Sequence, residues 1–349
     1  MTVIKSMITT ALLILAACPV FSAGRVSLLV GDVRIQTGAD REWEPVKQGR
    51  QVETGDIIKT GDDSCAEISS QSATIKINAN SRVRVSKSMV NDKEADSLSM
   101  FFGSVFLKIA KLGKDEGGFA VETPASFCAV RGTEFTVASG FDGHTIVQVE
   151  KGTVSLSGNE GEVVISENQE SEVSLGGAPT GVTRIKKRAW REWIRQNRES
   201  MKGKELAVLR GAMKRMMKLG RDIEILEGLN EKLSRQKEEL KAMAEEYKRK
   251  GDDVNYREYS ARAHRAKRGA YVAMNEVFYK AEKLDLIRNL AVDAYEGLAT
   301  KMGEPGDARK KIEEIFNRNN ERYIRKIRSG DSMRQKILEK RRNRKARAE

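Results

Sequence analysis

Gly176-Gly177-Ala178-Pro179-Thr180-Gly181 is where this chain changes its pattern. Pro withholds a backbone donor, the glycines loosen the backbone, and no Gly-Lys-Ser/Thr follows to make a phosphate loop, so residues 177–186 read as a linker. Before it, apolar residues recur at every second position; after it, at every third or fourth. Charge divides at the same place. Residues 1–180 carry 17 Lys+Arg against 23 Asp+Glu, a net −6, whereas residues 181–349 carry 46 against 27, a net +19. The 349 residues suffice for about two domains of roughly 100–200 residues each.

Upstream of the linker the apolar runs are short and largely β-branched. They are Val26-Ser27-Leu28-Leu29-Val30, then Ala73, Ile75 and Ile77, then Val83 and Val85, then Thr145-Ile146-Val147-Gln148-Val149, and Val163-Val164-Ile165. Gly31-Asp32, Gly55-Asp56, Gly61-Asp62, Asp142-Gly143, Lys151-Gly152 and Gly158-Asn159 punctuate them as tight turns. Turn signals spaced by roughly 8–12 residues predict an all-β domain over residues 23–176, as a sandwich, roll or solenoid-like stack, rather than βαβ units.

Downstream, residues 187–339 predict a helical region. Ala189, Trp190 and Trp193-Ile194 open a first segment running towards Gly220, with Leu206, Leu209, Met213, Met216 and Met217 on its stripe and Gly203 and Gly211 interrupting it. A second segment carries Ile223, Ile225, Leu226, Leu229, Leu233, Leu240 and Met243 and ends at Gly251. Asp252 or Asp253 can cap a long third helix. Its seam is the most regular periodicity in the chain: Ala263, Ala266, Ala270, Ala273, Val277, Ala281, Leu284, Ile287, Ala291, Ala294 and Leu298. Steps of three and four predict a coiled-coil-like hairpin or bundle, packed within the chain or against a second copy. Gly303-Glu304-Pro305-Gly306 ends it, and Ile312, Phe316, Tyr323 and Ile327 mark a fourth helix. Residues 340–349 read as a frayed basic tail.

Residues 1–22 read as an export signal, with Lys5 ahead of an apolar run from Met7 to Ala17. Two processing routes stay open. Leu15-Ala16-Ala17-Cys18 is a lipobox-like sequence that would lipidate Cys18, and Val20-Phe21-Ser22 suits ordinary cleavage to a soluble product. No later apolar stretch reaches the roughly 18 residues of a membrane span, so the mature form is expected to carry no transmembrane helix. Cys65 and Cys128 then remain as an even pair, either bridged or as two small, partly buried thiols. Export directs the +19 half towards an anionic lipid or polymer surface or an envelope protein, and no nucleic-acid partner is expected.

Catalytic chemistry is not indicated. The two histidines, His144 in a turn and His264 in a helical segment, cannot build a three-His metal site within one chain, and carboxylate pairs such as Asp62-Asp63 and Asp252-Asp253 sit beside turns. Neither a catalytic set, a metal site nor a cofactor is predicted.

An ordered series of residues carries a family resemblance. Gly31-Asp32-Val33, Trp43 with Val46 and Gly49, Thr54-Gly55-Asp56-Ile57-Ile58, Asn80-Ser81, Phe102-Gly103-Ser104-Val105, Thr123-Pro124, Ala129-Val130-Arg131-Gly132-Thr133-Glu134-Phe135 and Gly152-Thr153-Val154 together resemble the FecR periplasmic domain over about residues 26–175. The resemblance implies a sensing module in a relay that joins an outer-membrane receptor to an extracytoplasmic-function sigma factor. This chain departs from that plan by opening on a signal sequence and continuing into helices. The expectation is therefore a non-enzymatic envelope binding module with docking or oligomerising helices, or a signalling component working with a separate transmembrane regulator. Arg131, Gly132 and Thr133, whose side chains suit a structural corner or a binding surface, and Trp43, an edge plug or a stacking platform, are the candidate binding residues.

Overall fold

The computed structural model describes residues 22–37, 42–90, 93–111, 118–302 and 306–345. The expected processing sites and Cys18 lie outside the described residues. Within them, seventeen strands precede four helices. The strands are β1 (Ser22–Val30), β2 (Val33–Gln36), β3 (Glu44–Pro45), β4 (Gln51–Glu53), β5 (Ile57–Thr60), β6 (Cys65–Ser69), β7 (Ala73–Ile77), β8 (Arg82–Val90) and β9 (Lys93–Ile109). There follow β10 (Phe119–Glu122), β11 (Phe127–Val130), β12 (Glu134–Ser139), β13 (Thr145–Lys151), β14 (Thr153–Ser157), β15 (Glu162–Ser166), β16 (Gln169–Val173) and β17 (Thr183–Arg184). The helices are α1 (Trp190–Ser200), α2 (Glu205–Arg249), α3 (Asp253–Met302) and α4 (Asp307–Lys345).

The strands form a sandwich whose layers share one strand. One layer runs β4-β1-β6-β7-β9-β12-β13-β16-β17 and the other β3-β2-β5-β8-β9-β10-β11-β14-β15. The first part of β9 pairs with β8 and β10, and the second part, from Gly103, pairs with β7 and β12. Gly103 makes the passage with φ 111°, and a Cβ there would lie 2.4 Å from the Ser81 Cα, so only glycine fits. Strand alternation sorts the side chains. Ala73, Ile75 and Ile77 of β7 and Val83 and Val85 of β8 join Ile58, Leu98, Leu107, Phe135 and Leu156 in one core. Burying each large side chain contributes about 1.5–3 kcal/mol.

Cys65 is half-buried on β6 and Cys128 is buried on β11, and both are free thiols. The candidate disulfide is not formed, because the two residues belong to different layers and Cys128 faces the core. The linker is not slack either. Thr180 N–H donates to Glu172 O at 2.8 Å, β17 pairs with β16, and Arg188 reaches Glu170 at 2.6 Å and Glu172 at 2.9 Å, so residues 179–188 are strapped to the sandwich. Burial pushes the Glu170 carboxyl up, and hydrogen bonds from Arg188, the Lys186 N–H and Gln148 outweigh it, holding the group below its ordinary range.

α2 and α3 form an antiparallel hairpin. Their contacts run in opposite directions at matched steps: Glu205 with Lys301, Asp222 with Lys280, Leu233 against Gly269, and Tyr247 stacked on Tyr259. Asp252 Oδ1 accepts from the Asn255 N–H at 3.1 Å and caps α3. The predicted seam from Ala263 to Ala294 is buried, with Leu298 packed at its edge. α4 adds a third helix, stacking Phe316 on Tyr295 at 4.6 Å and setting Arg322 on Glu224 at 2.9 Å.

Three helical expectations need correcting. α2 runs unbroken through Gly220, where the Tyr323 ring packs so closely that a Cβ would meet its Cε1 at 3.2 Å; the true break is residues 201–204, before α2. Ile225, Leu229 and Met243, placed on the apolar stripe, are exposed because α3 covers only one face of α2. Residues 340–345 of the basic tail continue the backbone of α4 rather than fraying. Among the described residues, no helix is long and apolar enough to cross a membrane.

Candidate binding cleft between sandwich and helices

The site follows from the unused face of β8. Val83 and Val85 enter the core, so Arg82 and Arg84 project from the opposite face, and α3 lies across them. Arg84 bonds Asp285 directly and lies 3.6 Å from Glu282. Two residues earlier, Arg82 has no such partner among the described residues. Its guanidinium carbon lies 4.7 Å from the Phe101 ring centre and 5.8 Å from that of Trp43, and its Nε is buried without an acceptor. Burial lowers its pKa from the ordinary value.

Around Arg82 opens a cleft of ≈ 590 Å³ where three parts of the fold meet. The sandwich supplies Trp43, Lys59, Arg82, Phe102 and Phe141; α1 and its turn supply Arg198, Glu199 and Lys202; α2 and α3 supply Glu205, Asp293 and Glu296. Phe102 and Phe141 stack at 4.5 Å, and the Arg198 guanidinium carbon lies 5.6 Å from the Phe141 centre. Burial pushes Asp293 up to about 6, against the pull of Arg82 and with the push of Glu296.

A second polar cluster locks the same junction. Lys283 of α3 donates to the carbonyls of Thr123 at 2.6 Å and Ser126 at 2.9 Å, entering a turn in which Thr123 Oγ1 accepts from the Ser126 N–H at 2.9 Å. Beside it Glu122 is buried and accepts from the Ser88 hydroxyl at 3.4 Å. Burial, reinforced by Glu282 and opposed by Lys283, pushes Glu122 up to about 7. Burial brings Lys283 down to about 8 against the attraction of Glu122. Cys128, behind them, is pushed up to about 12 by burial, which suits an inert thiol.

The candidate residues separate. Trp43 lines the cleft. Arg131, Gly132 and Thr133 instead make the corner from β11 to β12, that is, from one layer to the other. Thr133 is buried there and donates to Thr153 O at 2.9 Å, and Gly132 takes φ 65° with Lys111 packed where a Cβ would stand. Arg82, Arg84, Glu122, Lys283, Asp285 and Asp293 were not singled out from sequence. The arginines left a signal, as two charges alternating with valines on one strand; the α3 residues left none, because charged residues opposite an apolar seam ordinarily face water. His144 lies 3.2 Å from Glu172 beside the strap, and His264 is exposed. No group of three or more His, Cys, Asp or Glu among the described residues is placed to hold a metal.

Residues 56–155 match the family model described as FecR protein, within the sandwich. The FecR match thus lies in the sandwich half, and the long helices follow it. Two crystal structures, at 1.65 and 2.50 Å, of a protein named provisionally as an anti-sigma factor from Parabacteroides distasonis ATCC 8503 are similar to part of it. Each shares 18% identity over 37% of this chain and 59% of that chain, with TM-scores of 0.32 and 0.31. This chain thus spans less than two thirds of the length of those structures. No curated protein matches it.

Proposed function

We propose that this chain is a non-enzymatic protein of the cell envelope whose FecR domain binds and senses an envelope component, and whose basic helices dock or oligomerise. One observation carries the reading: the cleft is walled jointly by the sandwich and by α1, α2 and α3, so an occupant would touch both halves at once. A bound component would then favour one arrangement of helices on sheet, which is the requirement for sensing. The FecR match supports a role related to signalling. Envelope proteins and anionic envelope polymers or lipid surfaces are the partners this reading names, and export rests on the N-terminal segment. The second reading makes the chain the periplasmic component of a FecR-type system, acting with a separate transmembrane regulator of an extracytoplasmic-function sigma factor; the same family match favours it.

The test keeps the full chain, because the two halves share a buried polar junction. A photo-crosslinking residue replaces Lys202 at the cleft or, as a control, the exposed Val164 of β15. In cells, Lys202 should capture a discrete envelope component that Val164 does not, and Trp43→Ala should reduce that capture. The same products from both positions, unchanged by Trp43→Ala, would remove the cleft from the function.

A further inference from the structure

The cleft holds a donor and an acceptor that do not satisfy each other. The Arg82 guanidinium lines the cleft and makes no side-chain hydrogen bond or ion pair among the described residues. Asp293, half-buried on the opposite wall, feels the Arg82 charge, yet no hydrogen bond or ion pair reaches its carboxylate among the described residues. A cationic donor and a carboxylate left unpaired in one cleft are completed by a molecule presenting an acceptor and a donor close together. Beside them lies the Trp43 indole, a flat surface for a C–H face.

The remaining lining narrows the chemistry. Lys59, Arg82, Arg198 and Lys202 balance Glu199, Glu205, Asp293 and Glu296, and two of those carboxylates are held by lysines, Glu199 by Lys202 and Glu205 by Lys301. Balanced charge disfavours a polyanion, and the unpaired Asp293 would repel a carboxylate. A lipid chain would leave the polar groups unmet. A pyranose ring has what is required: an apolar C–H face, and vicinal hydroxyls that each accept and donate. The ≈ 590 Å³ of the cleft lies within the usual range of small-molecule sites, roughly 300–1,000 Å³.

We propose that this cleft is a saccharide site, with a neutral pyranose ring against Trp43, one of its oxygens accepting from Arg82 and a hydroxyl donating to Asp293. The proposal rests on the cleft being the binding site of the FecR module and names the class of its ligand. The guanidinium, held by Phe101, is a positioning group as well as a donor, since its plane is set before the sugar arrives.

Isothermal titration of the full chain with chitotetraose, cellotetraose, maltotetraose and mannotetraose tests it, with N-acetyl-tetra-alanine as a carboxylate-bearing contrast. At least one tetrasaccharide should bind with Kd below about 1 mM, and the peptide should not. Trp43→Ala and Asp293→Ala should each weaken binding about tenfold or more, while Asp293→Asn, which keeps an acceptor oxygen, should stay within about threefold. Trp43→Phe, which keeps a ring, should retain most of the affinity and guards against a variant that fails to fold. No tetrasaccharide binding up to about 10 mM overturns the proposal, as does binding indifferent to Trp43→Ala and Asp293→Ala, or a preference for the peptide. If the oligosaccharides fail while Lys202 still captures a discrete envelope protein, the ligand class is wrong and the cleft's binding role stands.

Discussion

The α2–α3 hairpin carries similar apolar spacing at both ends but has different surroundings. At its base, Val277, Ala281, Leu284, Ile287 and Ala291 meet α2, Phe316 and Tyr323 of α4, and, through Lys283 and Asp285, the sandwich. Towards the tip the core shrinks to a cluster of Leu240, Ala263 and Ala266 with Tyr259 beside them, and Ala244 is buried beyond it. Helix geometry is the same throughout; what changes is how much apolar surface leaves water. Alanine seams permit close approach but bury little, so a pair of helices without a third layer has a thin core. Length alone, about 75 Å for the 50 residues of α3, therefore says nothing about rigidity.

The sharpest way to break this comparison is a matched pair of truncations. Ile287→Ala at the fully buried base should cost about 2–5 kcal/mol in urea denaturation. Equal loss from the tip variant below would mean that the hairpin is one cooperative body and the contrast is false.

The junction at the base adds a pH signature of the next size. Glu122 has a pKa raised to about 7, so the stability it contributes is present below its ordinary value of 4.5 and is lost as pH rises through about 7. Lys283 is depressed to about 8, so its contribution is present above its ordinary 10.5 and is lost as pH falls through about 8. Both penalties are in force between about pH 7 and 8. Glu122→Gln should therefore raise the stability at pH 8 by about 1–3 kcal/mol and flatten the limb of the Tm–pH profile that falls between about pH 4.5 and 7. A variant whose profile keeps the wild-type limb would show that Glu122 does not titrate in this range.

Leu240→Ala at the tip should cost less, about 2 kcal/mol, since its cluster holds only Ala263, Ala266 and part of Tyr259 and buries little apolar surface. Hydrogen exchange should show amides around Leu240 and Ala266 opening well before those around Leu219 and Ile287. Uniform protection along α3 would contradict the thin-core argument. Smallest of all, Arg262→Ala removes an exposed i,i+4 pair with Glu258 and the cation–π contact to Tyr259 and should change stability by no more than about 0.5 kcal/mol. A larger loss would mean that the aromatic stack of Tyr247 and Tyr259, not the alanine seam, holds the tip together.

Much of this architecture could be read from local pattern, and the misreadings have physical causes. Ala73, Ile75 and Ile77 announced their strand face, and the Ala263 to Ala294 seam announced its helix face, because backbone geometry alone sets both periods. Gly220 reads as a boundary because glycine weakens isolated helices; here Tyr323, 103 positions away by the numbering, uses the missing side chain. The segment after Gly176 read as slack because nothing in Pro179-Thr180 reveals that Glu170 and Glu172 wait for Arg188. Trp43, an edge plug or a stacking platform by its sequence, lines the cleft, and Arg131, Gly132 and Thr133 take the structural corner that their residue types suit.

By itself the sequence determined that an all-β half would be followed by long helices, and which face of β7 and of α3 would be dry. Periodicity is a property of neighbours along the chain, and neighbours are enough to establish it. Which charged face would meet which helix was decided only in three dimensions. Arg84 and Asp285 lie 201 residues apart, and no local rule distinguishes them from the many arginines and aspartates that face water. Laying α3 across β8 removed these groups from solvent, paired Arg84, and left Arg82 and Asp293 facing a cleft that neither half of the chain contains alone.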